Sequence, residues 1–164
     1  MTQSNSIRAI VSAVGPDDAE DIVRTAAEGG VVSASRKLFY PYYALAFRYT
    51  ASTFIGPSTW TVACLVDSLT GLGATADPFE LEALEPDLRD VVAPRLDAHE
   101  AERVARRYTG YVQRNRRRAL MSPAIDIVSC RVVYKPFWVV LHDTIGSVLV
   151  DGVTGGFYPL RAVR

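Results

Sequence analysis

From Ala19 onward the apolar positions fall at Ala19, Ile22, Val23, Ala26 and Ala27, the i, i+3, i+4, i+7, i+8 spacing that puts side chains on one face of a short helix. Pro16 suits the first helical turn. Asp17, Asp18 and Glu20 favour the positive end of the helix dipole, and Gly29-Gly30 supplies a stop. A second helical stripe comes much later, at Ala101, Val104, Ala105, Tyr108 and Val112. Asp97 and Glu100 open it with capping-box spacing, and it runs toward Leu120 before Ser122-Pro123. After each stripe the pattern turns to strand-favouring residues, in the aromatic blocks RKLFYPYYALAFR from Arg36 and RVVYKPFWVVLHD from Arg131.

Laid together, the two blocks match Arg36 with Arg131, Phe39 with Tyr134, Pro41 with Pro136, Tyr42 with Phe137 and Tyr43 with Trp138. Farther on, LVDSLTG from Leu65 matches LVDGVTG from Leu149. In each, the Asp accepts from backbone N–H groups just ahead, and the Gly supplies a left-handed conformation where the strand ends. The first copy has a longer connection between its matched blocks, ASTFIGPSTW at 51–60, whose Gly-Pro-Ser cluster predicts a loop. Proline cannot donate to a ladder, so Pro41 and Pro136 predict a bulge or an edge position. Residues 77–96 are acidic and punctuated by Pro78, Pro86 and Pro94, with enough apolar residues to predict an ordered strap. The expected fold is α+β: two pseudo-repeated α-β-β(-β) units forming antiparallel sheet packed against helices. Their expected bounds are 1–76 and 97–164, joined by the 77–96 connector into one compact unit.

The order of helix, strand, a strand ending in Val-Asp-x-x-Thr-Gly at 66–71 and 150–155, and a further short strand resembles the PepSY domain and related cystatin-like units. The resemblance spans about residues 17–77 and 97–160. It implies a helix cradled by a curved antiparallel sheet and a role in binding or inhibiting other proteins, often proteases. The Tyr-x-Pro-aromatic-aromatic block is not part of that family's pattern, and no functional residue carries over.

Charge changes the picture little, because 18 basic residues balance 18 acidic ones and no whole-molecule field draws the chain to nucleic acid or anionic membrane. All the basic residues except Lys37 and Lys135 are arginines. The N-terminal residues read as neither a secretory signal nor a transit peptide, no apolar run approaches a membrane span, and Cys64 and Cys130 lack metal or disulfide spacing. A cytoplasmic location, no membrane partner, no cofactor and no metal are the expectations.

Three groups of residues are candidates for function. Tyr40, Tyr42, Tyr43, Tyr134, Phe137 and Trp138 crowd the proline positions, where a groove for a ligand or partner competes with core packing as their explanation. Arg103, Arg107, Arg114, Arg117 and Arg118 form a helical stripe suited to an acidic partner or phosphate, or to a solvated face paired with Glu100 and Glu102. His142-Asp143 lacks a nucleophile elbow, and no glycine-rich phosphate loop occurs. The sequence therefore favours a non-catalytic binding or regulatory module that contacts another protein, a second copy of itself included. The alternatives are a small-molecule binder or enzyme with a pocket between sheet and helices, and a nucleic-acid binder using the arginine stripe.

Overall fold

The computed structural model describes residues 6–116 and 122–160, and for 34, 35 and 114–116 the backbone alone. In chain order the elements are β1 (Ile7–Ile10), α1 (Pro16–Ala26), β2 (Val32–Thr53), β3 (Gly56–Asp67), β4 (Gly73–Thr75), β5 (Leu81–Leu84), a 3-10 turn (Leu88–Asp90), α2 (Ala98–Arg116), β6 (Ala124–His142), β7 (Gly146–Asp151) and β8 (Phe157–Pro159). The fold is α+β, two helices with a mostly antiparallel open sheet. Its strands pair in the order β4-β3-β2-β6-β1-β5, with β7 on β6 and β8 on β7. No helix among the described residues is long and apolar enough to cross a membrane.

Contacts divide the chain into two compact units, each assembled from distant segments: Met1–Tyr40 with Phe79–Ala93 and Tyr134–Arg164, and Pro41–Pro78 with Pro94–Val133. In the first unit, α1 packs through buried Ala19 and Val23 on Val140 of β6 and on Val148 and Val150 of β7. A smaller cluster joins Ile7, Ala9 and Phe39, with β5 paired antiparallel to β1 from Ile7 opposite Leu84 to Ile10 opposite Leu81. In the second unit, Ala101 and Ala105 of α2 meet Tyr43, Leu45, Phe47 and Tyr49 of β2 and Val62, Cys64 and Val66 of β3. Each helix thus packs on the hairpin from the other half of the sequence, not on the strands that follow it. The reason lies in the two long strands, whose proline-flanked stretches belong to one unit on one side and to the other beyond.

The two prolines lie inside long strands and are fully buried, and neither β2 nor β6 is an edge strand in the pairing order. Their missing N–H is accommodated by register. The β2–β3 ladder begins at Tyr42 opposite Asp67 and the β6–β7 ladder at Phe137 opposite Asp151, one residue past each proline. Each proline carbonyl then accepts from the residue after that Asp, Pro41 from Ser68 N (3.3 Å) and Pro136 from Gly152 N (2.8 Å).

Both Asp turns form as their chemistry requires. Asp67 Oδ1 accepts from the N–H groups of Leu69 (2.8 Å) and Thr70 (3.1 Å), and Asp151 Oδ1 from Val153 (2.9 Å) and Thr154 (3.1 Å). Gly71 and Gly155 follow at φ 72° and 74°, where a Cβ would be strained. The 51–60 stretch is not a loop. It continues the β2–β3 hairpin to a two-residue turn at Phe54 and Ile55, closed by Thr53 opposite Gly56. Gly56 at φ 127° and the Thr53 hydroxyl, which donates to the Gly56 carbonyl at 2.8 Å, turn the Gly-Pro-Ser cluster into strand chemistry.

Candidate functional site

The six aromatic residues are distributed over both units. In the first, Trp138 is half-buried and its Nε1–H donates to the Val14 carbonyl at 2.9 Å, while Lys37 Nζ lies 5.3 Å from its ring centre. Tyr40 meets Phe137 edge-on at 6.0 Å between ring centres. Tyr134 packs beside Ile7, Ala9 and Phe39, and burial raises its hydroxyl pKa. In the second, Tyr43 is buried with its hydroxyl donating to the Leu96 carbonyl at 3.0 Å, and Tyr42 is half-buried. Packing and capping occupy much of this set.

Of the arginine stripe, Arg103 and Arg107 are exposed on α2. The side chain of Arg114, and Arg117 and Arg118 altogether, lie outside the described residues. The neighbouring Arg106 pairs with Glu102 at 2.8 Å, one turn back, and stacks over Phe47 at 5.5 Å. In the connector, Asp90 pairs with Arg36 at 2.9 Å and Asp87 with Arg89 at 2.8 Å. The Arg89 backbone N–H and side chain hold the Asp87 carboxyl below its usual pKa.

His142 is buried, and its ring is committed to structure. Nδ1 accepts from the Thr144 N–H (3.0 Å) and the Ile145 N–H (3.3 Å), which leaves Nε2–H to donate to the Gly29 carbonyl at 2.8 Å. It ties the β6–β7 turn to the loop after α1 and has no nitrogen left for proton transfer. Among the described residues no cluster of His, Cys, Asp or Glu is placed to hold a metal ion.

No motif in the sequence marks the outer edge of β3. On its inner side β3 pairs with β2 over its whole length, but β4 covers the outer side only at 64–66. The Asp67 N–H donates to Leu72 O (2.9 Å) and the Ala63 carbonyl accepts from Ala76 N (3.4 Å). Odd-numbered residues therefore point their backbone groups outward, and by alternation Thr59 and Thr61 offer N–H and C=O groups along an edge that no strand among the described residues covers. A groove of ≈ 290 Å³ lies along this edge, lined by Trp60, Thr61, Val62, Ala63, Thr75, Ala76 and, from α2, Gln113. Trp60 is fixed within it, stacked on Tyr49 at 5.6 Å and donating through Nε1 to Gln113 Oε1 at 3.2 Å.

Other exposed edges are blunted. The β5 edge is four residues long and carries Glu82, and β8 is three residues ending in Pro159. On β6, the 124–133 stretch carries Asp126 and Arg131. Ile125 and Cys130, at odd and even positions, pack on the same core cluster, so the strand's alternation slips by one residue between them. β3 carries Pro57 at the start of its outer edge but no charge beyond it: residues 49–66 contain no charged side chain, and the hairpin tip exposes Phe54 at 94% and Ile55 at 100%. No family model, curated protein or solved structure matches the chain.

Proposed function

We propose that the chain is a non-catalytic binding module that recruits an extended protein segment to the outer edge of β3 by strand addition. A segment of that kind supplies outward backbone partners to Thr59 and Thr61, which no strand among the described residues provides, and alternate side chains reach the groove beside Trp60. The observation that carries the reading is the uncharged edge, left open over several residues by the described strands while other edges are short, charged or offset. An enzyme reading has less support. His142 is fully engaged, and none of the groove-lining residues is an acid, base or nucleophile in a charged setting.

In this reading the two halves are diverged copies of one module whose helices have exchanged hairpins. Support comes from hydrogen bonds that recur at matched positions. The Ser68 carbonyl accepts from Arg95 and Leu96, and the Gly152 carbonyl from Ala13 and Val14. Tyr43 caps Leu96 as Trp138 caps Val14.

Selection of linear peptides from a display library on the immobilised chain tests the proposal, with Thr61→Pro as the counter-selecting competitor. The Thr61 N–H faces away from β2, so proline removes the outward donor and leaves the β2–β3 ladder in place. Extended peptides that bind the native chain and not the proline variant are the expected result. No enrichment, or equal retention by both, refutes it.

A further inference from the structure

We infer that the segment recruited to this edge is the same strand of a second copy of the chain, the two β3 strands pairing antiparallel about a two-fold axis at Thr59. This deepens the strand-addition reading and rests on it. Only odd residues face outward, so outward residues must meet outward residues, and Thr59 lies opposite Thr59 with Pro57 opposite Thr61. In that register Pro57, which has no N–H, needs only to accept, and all four outward donors of Thr59 and Thr61 in the pair find carbonyls. Moving the axis to Trp60 would set Pro57 against Ala63, where Ala76 already sits. A threonine pair on the axis is a favourable cross-strand neighbour, and the absence of charge across 49–66 means that no like charges oppose one another.

In the Thr59 register the ladder stops at Pro57 opposite Thr61, short of Ala63 where Ala76 already sits. The turn at Phe54 and Ile55 lies beyond it toward the Thr75-Ala76 end of the groove, so that by symmetry each copy's tip meets the other's groove. A phenylalanine side chain alone offers about 150–250 Å². Two such rings, two isoleucines and a ladder of several residues on each side together approach the roughly 1,000 Å² that a specific interface requires.

Sedimentation across a micromolar to millimolar series tests the inference, with circular dichroism confirming that each variant stays folded. The native chain is expected to dimerise, and Thr61→Pro to weaken the dimer roughly tenfold or more, since it removes one donor from each copy. Thr59→Lys and Thr59→Glu, both at an exposed position, should each be monomeric alone and pair when mixed. Thr59→Cys should oxidise to a covalent dimer faster than Thr61→Cys. A native chain that stays monomeric, or a dimer indifferent to Thr61→Pro and to the Lys and Glu variants, overturns the second copy. If that monomer still enriches extended peptides, the edge reading survives without self-pairing; if it enriches none, both fall.

Discussion

The hydroxyl chain from Tyr49 to α2 offers the sharpest energetic test of how the candidate edge is supported. Tyr49 and Thr109 are both fully buried. Tyr49 Oη donates to Thr109 Oγ1 at 2.7 Å, and Thr109 Oγ1 donates to the Ala105 carbonyl at 2.8 Å. Tyr49→Phe removes a donor but orphans none, because the threonine keeps its own acceptor; the expected loss is about 1 kcal/mol. Thr109→Val keeps the shape of the side chain but strands the tyrosine hydroxyl in the interior, at a cost of about 1–3 kcal/mol. In the double variant both groups are apolar, so it should lie within about 1 kcal/mol of native and be more stable than Thr109→Val alone. Urea unfolding followed by tryptophan fluorescence measures all four corners. At this chain length each 1 kcal/mol also moves the melting midpoint by roughly 2–4 °C. Losses that add within about 0.5 kcal/mol would refute the claim that these hydroxyls meet. Because Tyr49 also stacks on Trp60, Thr109→Val should weaken binding at the β3 edge although neither residue touches a partner there.

Four further outcomes follow from local geometry. Gly30→Ala should destabilise strongly in thermal melts, because φ is +98° and a Cβ would sit 2.6 Å from His142 Nε2; Glu28→Gly should stabilise by about 1 kcal/mol by relieving a left-handed backbone at φ 58°. Asp151 feels burial pushing its pKa up, but the Lys135 ammonium and the Val153 and Thr154 groups outweigh it and hold the carboxyl below its usual value. Its stabilisation is therefore complete above the ordinary carboxylate range and lost as pH falls through the lowered value, so Asp151→Asn should flatten the acid side of the stability profile. Cys64, buried and with its thiol pKa pushed to about 11, should resist alkylation in the native chain and react on unfolding, which intact mass spectrometry resolves.

Periodicity made much of the fold legible. The α1 stripe, the Asp97 to Glu100 capping box and both Asp turns have direct structural counterparts, because each is set by residues a few positions apart. The pairing of helix with hairpin was not legible. Ala19 and Val23 present a small apolar face whose spacing names no particular hairpin, and the pairing shows only in the fold, where β2 and β6 each run from one unit into the other. The 51–60 stretch misled for a related reason. Gly-Pro-Ser chemistry marks a turn or an edge strand alike, and only the register of Thr53 against Gly56 decides between them.

The candidate edge shows the same division between what residue types reveal and what pairing adds. That residues 49–66 are free of charge is visible in the chain itself, yet an uncharged strand is ordinary in the middle of a sheet and a hazard only at its margin. Position supplies the missing term: β4 stops at Thr75, opposite Cys64, and no other strand among the described residues continues that cover along the uncharged stretch. One added charge at Thr59 would protect the edge at little cost, since that side chain is exposed and the core lies on the other face. The proposed strand addition accounts for why an edge that one charge would close is left uncharged and backed by Trp60, which α2 holds through Gln113.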